Sequence, residues 1–287
     1  MGSWSPLGEG IQMMLRRLAP PALVAGLAVA AVALSLGCGS SNPSSGTSAS
    51  PASTKLTVFA AASLNKVLPQ IAAAFQKTDP GVRFAFNFAG TDTLTTQIEQ
   101  GAPADVFAGA SAKYGDELSG KGLITTPQFF ATNKLVLIVP AANPAHITSL
   151  RDLSRPGIKL VIGDPTVPIG TYTRKVLGNL DALYGTGYSA AVLKNVVSNE
   201  TQVTGVLSSV ELGQADAGFV YVTDARNGGS QVRSFALPAA AQAVASYPAA
   251  VVKASGNAAA GQRFVTYLLG AQAQGMLRAA GFGPPPE

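Results

Sequence analysis

The fold of this chain is decided by the stretch Val58-Phe59-Ala60-Ala61-Ala62-Ser63-Leu64. An apolar run of strand type ends there in small residues, and Ser63 follows where a helix N-cap is expected. The next apolar residues recur at helical spacing: Leu64, Val67, Leu68, Ile71 and Phe75. Because a helix N-terminus offers unpaired N–H groups and a positive dipole end, this turn is either an ordinary β-to-α connection or an anion site.

Beyond this stretch, short apolar runs alternate with helical segments. The predicted strands are 56–60, 82–88, 105–107, 135–139, 159–162, 196–197, 217–221 and 249–252. The predicted helices after the first are 93–100, 171–180, 202–212, 261–269 and 271–279. This alternation indicates an α/β protein with mostly parallel sheets flanked by helices. Pro69 falls inside the first helix without an N–H to donate, so we expect a kink or a loose first turn there.

The N-terminal residues predict export. Arg16-Arg17 precede an apolar run over 20–36 that is slightly short for a membrane span, which is typical of a signal peptide over 1–37. Met13 and Met14 are alternatives to Met1 as the start. The sequence around Cys38 resembles a bacterial lipobox, with Leu34 one position earlier than the pattern has it, so we expect Cys38 to be lipidated. Residues 38–54 are small and uncharged and predict a flexible tether.

Composition excludes several classes of protein. Hydrophobic residues make up 47% of the 287 residues, enough for a sizeable core, while only 12% are charged and the net charge is +5. The basic residues are scattered, which argues against a nucleic-acid binder. With one Cys and one His, the chain has no internal disulfide and no cluster of metal ligands, and we expect no cofactor.

Turns rich in hydroxyls or glycine follow four predicted strands, and each precedes a helix. They lie at Ser63, 90–93, 164–171 and 199–202. In parallel α/β sheets, ligands bind outside the carboxyl ends of the strands. Four helix starts meeting there would form a cage of neutral donors, which suits a small oxyanion.

Enzymatic alternatives are weaker. The sequence has no nucleophile elbow and no phosphate-binding loop of the G-x-x-x-x-G-K-[ST] type. A secreted hydrolase using Ser63 or Ser111 would depend on His146, which we place in a surface loop. We therefore expect no catalytic residues.

Five blocks of sequence, in order, carry a resemblance to a known family. They are Thr57-Val58-Phe59-Ala60-Ala61-Ala62-Ser63-Leu64, the block 97–107, Gly163-Asp164-Pro165 with 167–172, Gly218-Phe219-Val220-Tyr221 with Asp224-Ala225, and Tyr247-Pro248-Ala249-Ala250-Val251-Val252. From 56 to 281 the chain resembles the molybdate-binding proteins of bacterial ABC transporters, which belong to the two-lobed periplasmic solute-binding proteins of type II.

The resemblance implies a domain organisation and a site. Lobe 1 would comprise 55–136 and a return segment over 247–287 that includes a C-terminal tail, and lobe 2 would comprise 137–246, with the ligand in the cleft between them. The ligand contacts carried over are the Ser63 and Thr91 hydroxyls, the backbone N–H groups of Ile169 and Val203, and the Tyr221 phenol. No metal would be coordinated directly, because molybdenum is held as its oxyanion.

The implied function is capture of molybdate, and of tungstate, by a lipid-anchored monomer on the outer face of the cytoplasmic membrane, for delivery to an ABC permease with its ATPase. The alternatives are a carrier of sulfate or another small oxyanion, the hydrolase above, and a surface sensor or adhesin of the same fold. Asp92 stands where the family commonly has a second Ser. Either it turns away and caps a helix from Thr93, or it alters ligand choice.

Overall fold

The computed structural model describes residues 53–286. The expected signal peptide, the lipidation of Cys38 and the tether up to residue 52 lie outside the described residues. Within the described residues, no helix combines the length and the apolar character needed to span a membrane. Thr54, which the predicted tether included, already pairs with Val82 in the first strand.

The elements alternate along the chain as predicted. The strands are β1 (Thr54–Ala61), β2 (Val82–Ala89), β3 (Val106–Ala108), β4 (Gln128–Pro140), β5 (Leu160–Gly163), β6 (Val196–Glu200), β7 (Ala217–Tyr221), β8 (Val232–Ala236) and β9 (Val244–Val251). The α-helices are α1 (Val67–Thr78), α2 (Thr91–Glu99), α3 (Ala112–Gly120), α4 (Pro168–Tyr184), α5 (Tyr188–Leu193), α6 (Val203–Glu211), α7 (Val222–Gly228), α8 (Ala258–Leu269) and α9 (Ala271–Ala280).

Two groups of strands form the two lobes. In lobe 1, β1 lies parallel to β2 and β3, and β3 is antiparallel to β9. In lobe 2, β5 lies parallel to β6 and β7. The long strand β4 joins the groups, because it pairs with β9 over Gln128–Lys134 and with β7 and β8 beyond Leu135. The sheets are therefore mixed: the parallel pairings predicted from the sequence lie at the outer parts, and antiparallel strands lie between them.

Both faces of the lobe 1 sheet are buried, which is typical of parallel strands covered by helices. Side chains of β1 alternate between the faces: Val58 packs in the main core with α1, and Phe59 packs in a second cluster with Leu94 of α2 and Leu118 of α3. The carboxyl ends of β1, β2, β5 and β6 all lead into the turns that the sequence singled out.

The first helix differs from its prediction. Ser63 is not an N-cap; it lies inside a short 3₁₀ turn over Ala62–Leu64, and the α-helix begins only at Val67. Pro69 provides the physical reason. A helix starting at Leu64 would place Pro69 where an N–H must donate to the preceding turn, whereas a start at Val67 puts it in the first turn, where no donor is needed.

The C-terminal segment is hydrogen-bonded to β4 of lobe 1. Gly283 exchanges backbone hydrogen bonds with Thr132 of β4, at 3.1 and 2.9 Å. The Thr132 hydroxyl also donates to the Pro284 carbonyl at 2.9 Å.

Candidate functional site

A small pocket lies where the two lobes meet. Lobe 1 contributes Ala61, Ala62, Ser63, Ala89, Gly90, Thr91 and Ala110, and lobe 2 contributes Val167, Pro168, Ile169, Gln202 and Val203. None of these twelve lining residues carries a charge. The structure thus brings Ser63, Thr91, Ile169 and Val203 together, although they come from four separate turns.

The two hydroxyls on the lobe 1 side are buried and bonded to protein groups. Ser63 is 3% exposed, and its Oγ lies 2.9 Å from the Tyr247 hydroxyl. Thr91 is 1% exposed, and its Oγ1 accepts a hydrogen bond from the Ala110 N–H at 3.1 Å. Because a hydroxyl has one proton and two lone pairs, Thr91 still has its proton to donate.

The lobe 2 side presents two helix N-termini. Ile169 is the second residue of α4 and Val203 the first of α6, so their backbone N–H groups have no acceptor within their own helices. Both side chains are buried, at 2% and 4% exposure, so they pack within the protein.

Glycines seat α4 closely on the end of β5. A Cβ on Gly170 would lie 1.8 Å from the Asp164 carbonyl oxygen, and a Cβ on Gly163 would lie 2.6 Å from the Gly170 nitrogen. Only glycine fits at these two positions, which explains the spacing of the Gly163-to-Gly170 block.

Tyr221 lies outside the pocket lining. It is 1% exposed, its ring centroid is 6.3 Å from that of Tyr247, and its hydroxyl has no hydrogen-bond partner among the described residues. Burial, followed by the neighbouring Tyr247, raises its pKa well above the usual range, so the phenol stays protonated.

Asp92 does not cap a helix from Thr93. The helix α2 begins two residues earlier, at Thr91 with Gly90 as N-cap, so Asp92 lies in its first turn, where a negative charge is favoured. It is absent from the pocket lining. Its Oδ1 is buried without a partner among the described residues, and its Oδ2 accepts from the Thr93 hydroxyl at 3.4 Å.

A hydrogen bond and a close backbone approach connect the two lobes. The Tyr114 hydroxyl of lobe 1 donates to the Thr166 carbonyl of lobe 2. Burial, with the charges of Asp92, Glu117 and Asp164, raises the pKa of Tyr114 to about 12, so it remains a donor at neutral pH. Gly90 closely approaches the opposite lobe, since a Cβ there would lie 2.5 Å from the Thr201 carbonyl oxygen.

The residues required for a hydrolase are not assembled at this pocket. His146 is exposed in a loop between β4 and β5, has φ 52°, and does not line the pocket. The hydroxyl partner of Ser63 is Tyr247, and Ser111 is the N-cap residue of α3.

Sequence reasoning missed several residues of the site. Ala110 lines the pocket, and Tyr247, which is close to Asn133 of β4, lies behind Ser63. Tyr247 could have been noticed, because a tyrosine followed by proline interrupts an apolar run, but the surrounding sequence does not indicate which residue it contacts.

Two lobes joined by long crossing strands, with an uncharged pocket between them at helix N-termini, define a solute-binding protein. The chain belongs to the family of bacterial extracellular solute-binding proteins, whose family model matches residues 56–283. The fold class and family predicted from the sequence are confirmed.

Individual proteins of known name resemble this chain in sequence or in structure. The molybdate-binding protein ModA of Mycobacterium tuberculosis is 39% identical over 269 residues, which cover 92% of this chain and 95% of that protein. The periplasmic molybdate-binding protein of Azotobacter vinelandii has a TM-score of 0.70 at 23% identity and covers 80% of this chain and 100% of its own. The sulfate-binding protein SubI of M. tuberculosis has a TM-score of 0.71 at 21% identity, covering 80% and 87%. Because the two structural neighbours are only 23% and 21% identical to this chain, their similarity shows that they have the same fold and nothing more.

Proposed function

We propose that this chain binds molybdate, and also tungstate, as the substrate-binding component of an ABC importer. The observation that carries the proposal is the uncharged pocket between the lobes, where Ser63 and Thr91 face the starts of α4 and α6. The 39% identity to a molybdate-binding protein supports the same ligand.

In this proposal, the ligand oxygens accept hydrogen bonds from five groups. Ser63 and Thr91 donate through their hydroxyls, and Ile169 and Val203 donate through backbone N–H groups at helix starts, where the dipole favours an anion. Tyr221 is the fifth donor, because its buried hydroxyl has no partner among the described residues. Such a group is costly to bury unless a ligand satisfies it.

A cage of donors selects by protonation state. A fully deprotonated tetrahedral oxyanion accepts hydrogen bonds from every direction and donates none. A protonated phosphate would aim its own proton at a donor, which is costly in a buried site. This chemistry admits molybdate, tungstate and sulfate alike.

Sulfate is the second candidate ligand, because the chain shares its fold with a sulfate-binding protein and no lining residue distinguishes the two by charge. Displacement of molybdate by sulfate at equal concentration would favour sulfate. Displacement only by tungstate would favour the first proposal.

We further propose where and how the protein acts. Lipidation of Cys38 would anchor it at the outer face of the cytoplasmic membrane, and the tether would leave the lobes free to reach the permease and its ATPase. The lobes, 55–136 with 247–287 and 137–246, would close on the ligand about the two chain crossings. The protein would act as a monomer that needs no cofactor and catalyses no reaction.

The test is a thermal-shift panel with molybdate, tungstate, sulfate and phosphate, because a ligand that binds only the native state raises apparent stability. Calorimetry on Ser63→Ala and Tyr221→Phe then examines the site. Each variant should bind molybdate more weakly by about 1–3 kcal/mol, the cost of leaving a buried partner unsatisfied. Binding at the parent affinity by both variants would exclude this pocket as the site.

A further inference from the structure

The motif that begins Tyr247-Pro248 has a role that the ligand contacts leave unexplained. Tyr247 is fully buried on β9, and its hydroxyl lies 2.9 Å from Ser63 Oγ, although 184 residues separate the two in sequence. The ring is enclosed by Phe130, Tyr221 and Phe282, at centroid distances of 6.2, 6.3 and 5.3 Å. It therefore has little freedom to turn its hydroxyl elsewhere.

The direction of the bond between Tyr247 and Ser63 follows from Asn133. The Asn133 side-chain nitrogen donates to the Thr223 hydroxyl at 2.9 Å and to the Tyr247 hydroxyl at 3.5 Å. Its side-chain oxygen accepts from the Lys134 N–H at 3.0 Å, which determines the end of the amide that faces Tyr247. An amide nitrogen cannot accept, so the Tyr247 oxygen is the acceptor there and its proton is free for Ser63.

Among the described residues, the Ser63 Oγ is then the acceptor available to the Tyr247 proton, an arrangement that leaves the Ser63 proton for the pocket. The Thr91 hydroxyl has the same arrangement, and there the donor is unambiguous. The Ala110 backbone N–H donates to the Thr91 Oγ1, so the hydroxyl accepts from the protein and keeps its own proton to donate. The Tyr247 hydroxyl thus donates to Ser63 in the way that the Ala110 N–H donates to Thr91. Burial raises the pKa of Tyr247 well above its usual value, which keeps this donor protonated.

We propose that Tyr247 and Asn133 are positioning residues that hold the Ser63 hydroxyl as a donor toward the pocket, and so require a ligand oxygen that carries no proton. The inference rests on the proposed function, since it takes Ser63 to contact the bound oxyanion. A serine with an unconstrained hydroxyl could accept as easily as donate, and would not discriminate against a protonated oxyanion.

The test is a double-mutant cycle on the purified protein, with sodium molybdate as the probe in calorimetry. Tyr247→Phe should bind molybdate about tenfold more weakly, from the loss of one buried hydrogen bond that orders the donor. In the Ser63→Ala background, Tyr247→Phe should cause no further loss, because the residue acts through Ser63. Tyr188→Phe is the matched control: it removes a buried tyrosine hydroxyl that bonds to the Leu150 carbonyl in lobe 2, and should leave binding unchanged.

The competition readout separates positioning from a general loss of packing. Tyr247→Phe should lower the preference for molybdate over hydrogen phosphate, whereas a merely loosened pocket would weaken both anions in proportion. Binding by Tyr247→Phe at the parent affinity, or losses that multiply in the double variant, would overturn the inference alone. Absence of molybdate binding by the parent chain would overturn the proposed function and this inference with it.

Discussion

Gly90→Ala tests whether ligand binding needs the lobe contact present in this structure. Gly90 has φ −58° and ψ 141°, a conformation that alanine adopts without strain, so its backbone does not require glycine. What requires glycine is the opposite lobe. A Cβ would lie 2.5 Å from the Thr201 carbonyl oxygen and 2.5 Å from Asp92 Oδ1.

The magnitude follows from the overlap. The Asp92 side chain can rotate away, but the Thr201 oxygen belongs to the backbone. An ordinary contact begins near 3.4 Å, so the lobes must separate by about 0.9 Å at this point. Overpacking of this kind costs about 1–3 kcal/mol. Because it affects only the closed form, it should raise the dissociation constant for molybdate about 5- to 150-fold.

Calorimetry with molybdate measures the effect of Gly90→Ala on affinity, and thermal unfolding without ligand measures its effect on the stability of the open protein. The open protein should be as stable as the parent or more so, by up to about 1 kcal/mol, because alanine restricts the unfolded chain. Gly178→Ala is the control, since its Cβ would meet nothing within 4 Å on α4; it should stabilise the fold and leave affinity unchanged. Parent-like molybdate affinity in Gly90→Ala would show that binding does not use this contact.

Three further substitutions probe the structure. Tyr114→Phe removes the hydroxyl that bonds to the Thr166 carbonyl across the cleft, so stopped-flow measurements should show molybdate leaving roughly 2- to 10-fold faster, and an unchanged rate would assign the bond no role in closure. Asp224→Asn should alter the pH dependence of stability. Burial raises the pKa of Asp224 to about 7. The folded state therefore binds the proton more tightly than the unfolded one, and stability from this group is present below the unfolded pKa of about 4 and lost as pH rises to about 7. In denaturant unfolding, the free energy of unfolding of the variant should rise relative to that of the parent by a few kcal/mol between pH 4 and 8. A difference in unfolding free energy that stays constant with pH would contradict the raised pKa. Thr173→Val replaces a fully buried hydroxyl that has no partner among the described residues, so the melting temperature should stay the same or rise; a clear fall would reveal a partner.

Local sequence signals located both lobe 2 helices but not their exact starts. The helix predicted from 171 begins at Pro168, and the helix predicted from 202 begins at Val203; the backbone donors Ile169 and Val203 were carried over from the family resemblance. The same reasoning misplaced the start after β1, because Ser63 looks like an N-cap locally while Pro69 determines where the α-helix can begin.

Elements that depend on distant partners were predicted less well. Among the described strands, β8 (Val232–Ala236) pairs with β4 alone, and it is mostly exposed, so it lacks the apolar signal of a buried strand. The first half of β4, over Gln128–Lys134, was missed because its polar residues are paired by β9, more than a hundred residues later. Tyr247 was quoted within a motif, but its contact with Ser63 joins two segments of lobe 1 that lie 184 residues apart in the chain, which no local pattern reveals.

The order of the strands along the chain also determines at what point of synthesis the protein can bind its ligand. Lobe 2 is continuous in sequence, whereas β3 of lobe 1 must wait for β9, its antiparallel partner, with Val106 opposite Val251. Contacts so far apart in sequence form slowly. The same late strand delivers Tyr247 to Ser63, so a product that ends before Val244 would lack both the closing strand and the group that orients the first ligand donor. Under the proposed function, an unfinished chain could not retain its anion, and binding would itself report that synthesis was complete.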